Sequence, residues 1–382
     1  MGEQGTDNQS GILKGNICRY VMTERREIWR KKKILYIMGV DWEWIYQRPQ
    51  IFAEKLAMDY AVTVIFPRSI LSRRHDKPSK PGMEFRILWT LPGQEKCKVI
   101  EKISNWLNRK LFRKLEEYSY IYIGFPLYTR YIRGKYRGKI IYDCMDDHEA
   151  MYWDPKRVYK ITEQEKWLIQ KSSLLIVSSK KLAQKTDALA GCAKSILVRN
   201  GANSGELCRV KQPCVKESYN IYYIGTISKW FDYDLLTGSI DQVKGIIYHL
   251  VGPAAERIEY KGILYKGIIP HNQLEETIKD CDCLIMPFRL NEIVLSVDPV
   301  KLYEYITFGK CIVSVYYPEV EPFSDFVYFY REPEEYIELL RLLKRKGFPP
   351  KYSKEQQKSF LFENTWERRY ELLKRKMEEV SE

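Results

Sequence analysis

The residues best suited to chemistry lie in one short segment, Asp298-Pro299-Val300-Lys301, which continues through Glu304 to Gly309. The segment predicts a helix that begins near Pro299 and stops at Gly309, since proline suits the first helical turn and glycine the position past the end. A helix N-terminus offers free N–H groups and partial positive charge. Lys301 adds a full charge there, where a cation does not help the helix itself. The pattern therefore predicts an anion site, for example for a diphosphate.

Three neighbouring side chains extend this candidate site. Ser296 can donate a hydrogen bond to a phosphate or a sugar, and Glu304, one turn after Lys301 on the same face, can accept from sugar hydroxyls. Asp298 has two interpretations of equal standing, a donor-binding residue or the cap of the helix. For the motif as a whole, the alternative is an ordinary surface Lys–Glu pair.

Gly225 and Thr226 follow a strand-like apolar run, residues 221–224. A glycine at such a strand end lets backbone N–H groups approach a phosphate closely. A tight strand-to-loop turn explains a lone glycine equally well.

Carboxylates cluster after another strand-like run, at Asp143, Asp146 and Asp147. Close carboxylates perturb one another's pKa. An aspartate that faces a cleft can deprotonate an acceptor hydroxyl as a general base. We expect Asp146 or Asp147 to act in this way, and the alternative is a set of solvated or capping aspartates.

Trp42 and Arg48 follow the first apolar run and are candidates for an acceptor site or cleft. An arginine can bind a phosphate or a carboxylate in bidentate fashion, and a tryptophan can stack on a sugar ring. The alternatives are a surface arginine and a buried aromatic anchor.

Two similar halves of alternating strands and helices are predicted, so the fold class is α/β with two Rossmann-like domains. The predicted segments are a basic tail (1–30), an N-terminal Rossmann-like domain (31–203), a linker (204–218), a C-terminal Rossmann-like domain (219–350) and a C-terminal helix (351–382). The predicted strands cover residues 34–38, 62–66, 120–123, 140–142, 174–177, 196–198, 221–224, 246–251, 284–286 and 312–315.

The net charge of +13 favours anionic partners. No zinc finger, RNP motif or Walker loop is present, so nucleic acid is not expected as a partner. The nine cysteines lack paired metal-ligand spacing, and we expect no metal and no cofactor. No apolar run is long enough for a transmembrane helix, and no signal core precedes the first strand.

A basic amphipathic stretch covers residues 99–118. Its predicted apolar stripe is Ile100, Ile103, Leu107 and Leu111. One interpretation is that the helix docks on an anionic membrane surface. The other is that the stripe packs on the sheet and the charged face is solvated.

Several motifs in chain order resemble those of bacterial glycosyltransferases with the two-Rossmann (GT-B) fold, of the family-four-like cell-wall, capsule and teichuronic-acid type. The resemblance covers about residues 33–378. The matching segments are Asp41–Gln50 with its Gln-Arg-Pro-Gln, Tyr142–Asp147, Asn200-Gly201, Tyr223–Ile227, Asp298–Tyr305, and Trp366-Glu367 with Arg369.

This resemblance implies two facing Rossmann-like domains, of which the N-terminal one binds the acceptor and the C-terminal one the nucleotide sugar, and a last helix that crosses back to the first domain. It implies transfer of a sugar from a nucleotide-diphosphate donor, expected to be UDP-linked, to a glycan or lipid-linked acceptor. It implies donor contacts by Gly225, Thr226, Pro299 and Lys301, with Lys301 stabilising the leaving diphosphate, and a cytoplasmic protein that is peripheral on the inner face of the plasma membrane. Ser296 departs from the pattern, because many retaining members have a glutamate there. The alternative is a catalytically silent nucleotide-sugar-binding or partner-binding module.

Overall fold

The structure is a computed structural model that describes residues 31–203, 205, 207–270 and 273–381. The predicted tail, residues 1–30, lies outside the described residues. Contacts divide the chain into two compact units. One runs through Asp143 and includes Lys160–Leu174, and the other consists of Cys144–Tyr159 and the chain from Leu175 onward.

The first sheet has seven strands in the order β3-β2-β1-β4-β5-β6-β7, and β1 to β5 as well as β6 and β7 pair in parallel. Its strands are Lys33–Ile37 (β1), Ala61–Ser69 (β2), Met83–Thr90 (β3), Tyr120–Ile123 (β4), Lys139–Cys144 (β5), Leu174–Val177 (β6) and Ser195–Leu197 (β7). The central strands are nearly continuous apolar runs, which is typical of a parallel sheet that is covered on both faces.

Helices connect these strands as βαβ units require. They are Arg48–Asp59 (α1), Lys98–Asn108 (α2), Pro155–Lys171 (α3) and Lys180–Ala190 (α4). Local sequence explains their starts. Pro49 lies in the first turn of α1, and the Ser179 side chain caps α4 by accepting from the Leu182 N–H.

The second sheet has six strands in the order β10-β9-β8-β11-β12-β13, again parallel. The strands are Tyr219–Ile224 (β8), Ile246–Val251 (β9), Ile263–Gly267 (β10), Cys283–Met286 (β11), Cys311–Val315 (β12) and Tyr328–Tyr330 (β13). The helices are Tyr233–Gln242 (α5), Leu274–Thr277 (α6), Glu292–Ser296 (α7), Val300–Thr307 (α8), Pro333–Arg345 (α9), Lys354–Glu363 (α10) and Trp366–Glu379 (α11). Tyrosines fill much of its core, including Tyr222, Tyr223 and Tyr248.

The prediction of one helix within residues 351–382 is wrong in one respect, because two helices occupy this segment. The Thr365 side chain accepts from the Arg368 N–H and starts α11 as a new helix. Trp366 N–H donates to Ala202 O (3.0 Å), and Ala202 pairs with Thr365, which ties the start of α11 to the segment at Ala202. Among the described residues, no helix combines the length and apolar character that a membrane crossing requires.

Candidate functional site

The order of the second sheet reverses between β8 and β11, and ligands in open parallel sheets bind at the carboxyl ends of strands flanking such a switch point. The two strands are in register only at Cys283↔Ile221 and Leu284↔Tyr222. Their carboxyl ends therefore part beyond this pairing. Gly225 and Thr226 directly follow β8 at this edge.

The Tyr305 hydroxyl, from α8, bridges the parted strand ends. It accepts a hydrogen bond from the Ile224 N–H (3.0 Å) and lies 3.3 Å from the carbonyl oxygens of Ile224 and Ile285. Tyr305 is fully buried. Its bridge fixes the position of α8 at the switch point, and with it the position of Lys301 one turn earlier.

The Lys301 ammonium lies directly beside Gly225. A Cβ atom added to Gly225 would overlap both Nζ and Cε of Lys301. The Nζ atom is also 5.8 Å from the centroid of the Tyr223 ring. No hydrogen bond or ion pair connects it to another residue in the described parts of the chain. Burial lowers the pKa of Lys301, and the charge of Glu304 opposes this shift.

Glycine is required twice at this edge. Gly225 has φ +146° and Gly252, which follows β9, has φ +133°. A Cβ on Gly252 would overlap the carbonyl oxygen of Gly225. The Gly225 N–H donates to Val251 O (2.7 Å), whereas the Thr226 N–H makes no bond to a described residue. The amide suited to a phosphate is therefore that of Thr226.

Asp298 lies at the centre of a buried network before α8. Its carboxylate accepts from Arg199 Nη1 (2.6 Å), from the Asn200 N–H (2.6 Å) and from the Tyr303 hydroxyl (3.3 Å). Arg199 also donates to Glu319 (2.8 Å), and both carboxylates are buried. Asp298 does not cap α8, because Pro299 occupies the N-cap position with no side-chain bond. The network anchors the loop that leads into the helix.

The remaining donor candidates surround this loop. Ser296 is buried in α7 and donates its hydroxyl hydrogen to Ile293 O (2.8 Å). Pro299 immediately precedes α8, and Glu304 is half-buried in the next turn after Lys301. Gly309, with φ +63°, ends the helix where the sequence predicted it. The structure thus brings Gly225 and Lys301 into contact, while the side chains of Ser296 and Asp298 are held by protein partners.

Arg48 forms a buried pair with Asp143. Its Nη2 lies 2.8 Å from Asp143 Oδ1, and Nε lies 3.0 Å from Oδ2. The Tyr122 hydroxyl donates to the same carboxylate (2.7 Å). Burial and the neighbouring Asp143 charge raise the pKa of Tyr122. Both members of the pair are almost inaccessible to solvent. The arginine side chain that the sequence placed in an acceptor site therefore neutralises an internal aspartate.

Trp42 is also buried. It packs edge-on against Phe85 with a centroid distance of 4.7 Å, and its carbonyl accepts from Gln50 Nε2. The aromatic side chains that this loop exposes are Trp44, at 66 %, and Tyr46, at 54 %. The loop is held by Arg68, which donates to Asp41 and to Glu43.

The candidate bases differ in their surroundings. Asp147 is buried and its Oδ1 lies 2.5 Å from Lys185 Nζ and 3.2 Å from the Ala150 N–H. Asp146 is half-buried, and its carbonyl accepts from the Cys144 thiol. Asp146 is therefore the more accessible of the two residues, and Asp147 is paired with Lys185.

A cavity elsewhere in the second unit includes none of these residues. It measures about 590 Å³ and includes Lys211 and Tyr352 in its lining. Lys211 bonds Asp282 just before β11, and Tyr352 bonds Lys310 just before β12. This cavity is therefore at the amino ends of the strands, the edge opposite to Lys301. No cluster of potential metal-ligating side chains occurs within the described residues.

Sequence reasoning missed the residues that position this site: Tyr305, Gly252, Arg199 and Glu319. Arg199 directly precedes the Asn200-Gly201 motif, which was a usable signal. Nothing in the chain near Glu319 or Gly252 indicated their partners, which are far away in sequence.

Two parallel-sheet α/β halves, each with a switch point in its strand order, define the class: the chain has the two-domain GT-B fold. Comparison with known proteins confirms the resemblance that the motifs indicated. No family model matches the chain. It is 23 % identical over 244 residues to a candidate teichuronic acid biosynthesis glycosyltransferase of Bacillus subtilis (strain 168), a match that spans 58 % of this chain and 61 % of that protein.

Solved structures extend the similarity over nearly the whole chain. Sucrose-phosphate synthase from Thermosynechococcus elongatus superposes with a TM-score of 0.72 at 12 % identity, covering 92 % of this chain and 99 % of the other. The lipopolysaccharide outer core galactosyltransferase WaaB has a TM-score of 0.64 at 12 % identity, with 90 % and 99 % covered. Anabaena HepE in complex with UDP and glucose has a TM-score of 0.63 at 12 % identity, with 91 % and 99 % covered.

Proposed function

We propose that the protein is a glycosyltransferase that moves a sugar from a UDP-linked donor to a glycan or lipid-linked acceptor in cell-surface polysaccharide synthesis. The observation that carries this proposal is the Lys301 ammonium, which lies beside Gly225 at the switch point with no ion-pair partner among the described residues. Burial lowers the pKa of Lys301, and the charge of Glu304 only partly opposes this shift. An anionic ligand beside the ammonium would therefore stabilise its charged form.

The leaving diphosphate would be stabilised by three groups. Lys301 provides a full positive charge, the first turn of α8 provides orphan N–H groups and the helix dipole, and the Thr226 N–H provides one further donor. Preorganised donors of this kind act where negative charge develops as the sugar–phosphate bond breaks. With this charge supplied by the protein, we expect transfer to need no divalent metal, and full activity in excess chelator is the corresponding test.

The acceptor side is assigned by resemblance and by chemistry. Asp146 would accept the proton of the acceptor hydroxyl, since it is the more exposed residue of the two. Similarity to a teichuronic acid biosynthesis glycosyltransferase supports a cell-surface glycan as acceptor. Action on the cytoplasmic side of the membrane is part of this proposal.

The deciding experiment measures nucleotide binding. UDP and UDP-sugars should raise the melting temperature, and UMP should do so less, because a ligand that binds only the native state stabilises it. Lys301→Ala should weaken UDP binding about tenfold to a hundredfold, the value of a hydrogen bond to a charged group. Lys310→Ala is the matched control, since Lys310 is a half-buried lysine just beyond the other end of the same helix. Equal UDP affinity in the two variants would refute the diphosphate assignment.

A second candidate, a silent nucleotide-sugar-binding module, is favoured by the pairing of Asp143 and Asp147 with cations. It predicts UDP-sugar binding without transfer to any glycan or lipid extract and without donor hydrolysis. Transfer of radiolabelled sugar to a lipid-linked glycan would exclude it.

A further inference from the structure

Helix α2 exposes its apolar side chains. Val99 is 65 % exposed, Ile103 52 % and Trp106 62 %, and Leu107 is 38 % exposed. We refer to these four residues as the α2 face. Helices that pack on a sheet normally bury their apolar stripe, so this exposure is the reverse of the usual arrangement. The interpretation in which the predicted stripe packs on the sheet is therefore wrong for Ile103 and Leu107, which are exposed.

Polar side chains hold the opposite face of α2 against the sheet. Asn108 Oδ1 accepts from the Trp89 N–H (2.9 Å), and Asn108 Nδ2 donates to Trp89 O (2.8 Å). Ser104 is fully buried and its hydroxyl lies 3.4 Å from the same carbonyl. These bonds occupy the free edge of β3 at Trp89 and fix the rotation of the helix. The outward direction of the α2 face is therefore determined by specific hydrogen bonds.

Cations surround the α2 face. Residues 96–114 contain seven lysines and arginines and one acid, Glu101. Glu101 already pairs with Arg130 (3.0 Å) and Lys160 (2.5 Å). The exposed cations are Lys96, Lys98, Lys102, Arg109, Lys110, Arg113 and Lys114. The Arg109 guanidinium lies 5.3 Å from the Trp106 ring, so aromatic and cationic groups are intermixed at this surface.

We propose that the α2 face is a docking surface for an anionic lipid bilayer. Val99, Ile103 and Trp106 would enter the headgroup–acyl boundary, where tryptophan is favoured, and the long cationic side chains would reach the lipid phosphates. A protein partner would need acidic groups facing every one of these cations, whereas a lipid surface supplies negative charge everywhere. This proposal rests on the proposed function only for the reason to dock, which is to bring the enzyme to a lipid-linked acceptor.

The test is co-sedimentation of the full-length chain with vesicles. Vesicles of phosphatidylcholine with about one-third phosphatidylglycerol should bind the protein at low salt, and pure phosphatidylcholine vesicles should bind it far less. Ile103→Ser with Trp106→Ser should reduce binding at least about tenfold by removing the inserted side chains. Lys102→Gln with Lys110→Gln should reduce it about fivefold per cation removed.

Matched controls lie on the other compact unit. Phe362→Ser removes an exposed aromatic that also has an arginine over its ring, Arg368 at 4.8 Å. Arg341→Gln with Lys346→Gln removes two exposed cations. Both controls should bind vesicles like the parent chain. All variants are surface changes, and unchanged melting temperatures and UDP-induced shifts would show that the fold and donor site are intact.

Two results would overturn the proposal. One is vesicle binding that the α2 variants leave unchanged. The other is absence of binding to the anionic vesicles at low salt. Self-association, or association with a protein, that the Ile103/Trp106 variant abolishes would then assign the α2 face to a protein partner. Vesicle binding without any UDP response would leave this proposal standing and refute the proposed function, so the two failures are distinguishable.

Discussion

The ammonium of Lys301 occupies the space that a side chain on Gly225 would need. Lys301 comes from the first turn of a helix, and Gly225 follows the end of a strand 76 positions earlier in the chain. The glycine thus lets the lysine lie against the strand end, and the lysine places a positive charge where a phosphate can also reach the backbone.

Gly225→Ala should impair UDP binding more than it impairs folding. The new methyl group overlaps the tip of a flexible lysine, which can move away and leave the site. The backbone at φ +146° would add about 1–3 kcal/mol of strain. Calorimetric titration with UDP and a thermal melt would measure both effects. Gly134→Ala, also at positive φ but with open space around its Cβ position, controls for backbone strain alone. UDP affinity equal to that of the control would contradict this expectation.

The affinity for UDP should fall as the pH rises through the lowered pKa of Lys301. Above that pKa, Lys301 is neutral in the folded protein without ligand and attracts the diphosphate less. The unfolded chain still binds the proton in this range, so the loss of folding stability caused by burying the ammonium disappears as the pH rises. Binding of the diphosphate raises this pKa again, so Lys301 takes up a proton when UDP binds. Lys301→Arg should remove the dependence, since arginine stays charged. Titration of UDP at several alkaline pH values compares the two proteins, and parallel curves would exclude Lys301 as the titrating group.

Asp298→Asn should destabilise the second unit by about 3 kcal/mol, since it breaks a buried ion pair and leaves Arg199 with Glu319 alone. Chemical denaturation measures the loss. Asp325→Asn, an exposed aspartate nearby in sequence to Glu319, is the control. Once folded, the variant should bind UDP like the parent chain, because the Asp298 carboxylate is held by protein donors. Lost UDP affinity in a variant of normal stability would instead assign Asp298 to donor binding.

Arg48→Met alone should cost about 3–5 kcal/mol, because it leaves the buried Asp143 without its cation. Adding Asp143→Leu should restore part of this stability, since the second change removes the uncompensated charge. A double-mutant cycle from denaturation curves gives the coupling. If the double variant is no more stable than Arg48→Met, the pair is not what stabilises this region, and the acceptor-site interpretation of Arg48 regains support.

Asp146→Asn should lower kcat by about a hundredfold or more with little effect on UDP affinity, as removal of a general base does. Asp147→Asn should mainly lower the melting temperature, because it loses the contact with Lys185. Steady-state transfer assays with melts on both variants distinguish the roles. Full activity in both variants would remove the general-base hypothesis.

The sequence predicted most central strands and the helix boundaries around Lys301, because buried parallel strands are continuous apolar runs and helix ends have local signals. It missed three strands that lie at sheet edges, β3, β10 and β13. Strand β13 is short, and β3 and β10 contain charged residues, namely Glu84, Arg86 and Lys266. Edge strands are buried on fewer sides, so their composition is less distinctive.

By itself, the sequence determined the two-Rossmann architecture and the presence of a lysine in the first turn of a helix after a proline. Only the tertiary structure decided which charges are used internally. Arg48, Asp147 and Asp298 meet partners that are 38 to 99 positions away, whereas Lys301 meets a glycine. It also decided that α2 faces outward with its apolar side. Long-range pairing of charges and the rotation of a helix depend on contacts between distant segments, and local sequence patterns carry no information about them.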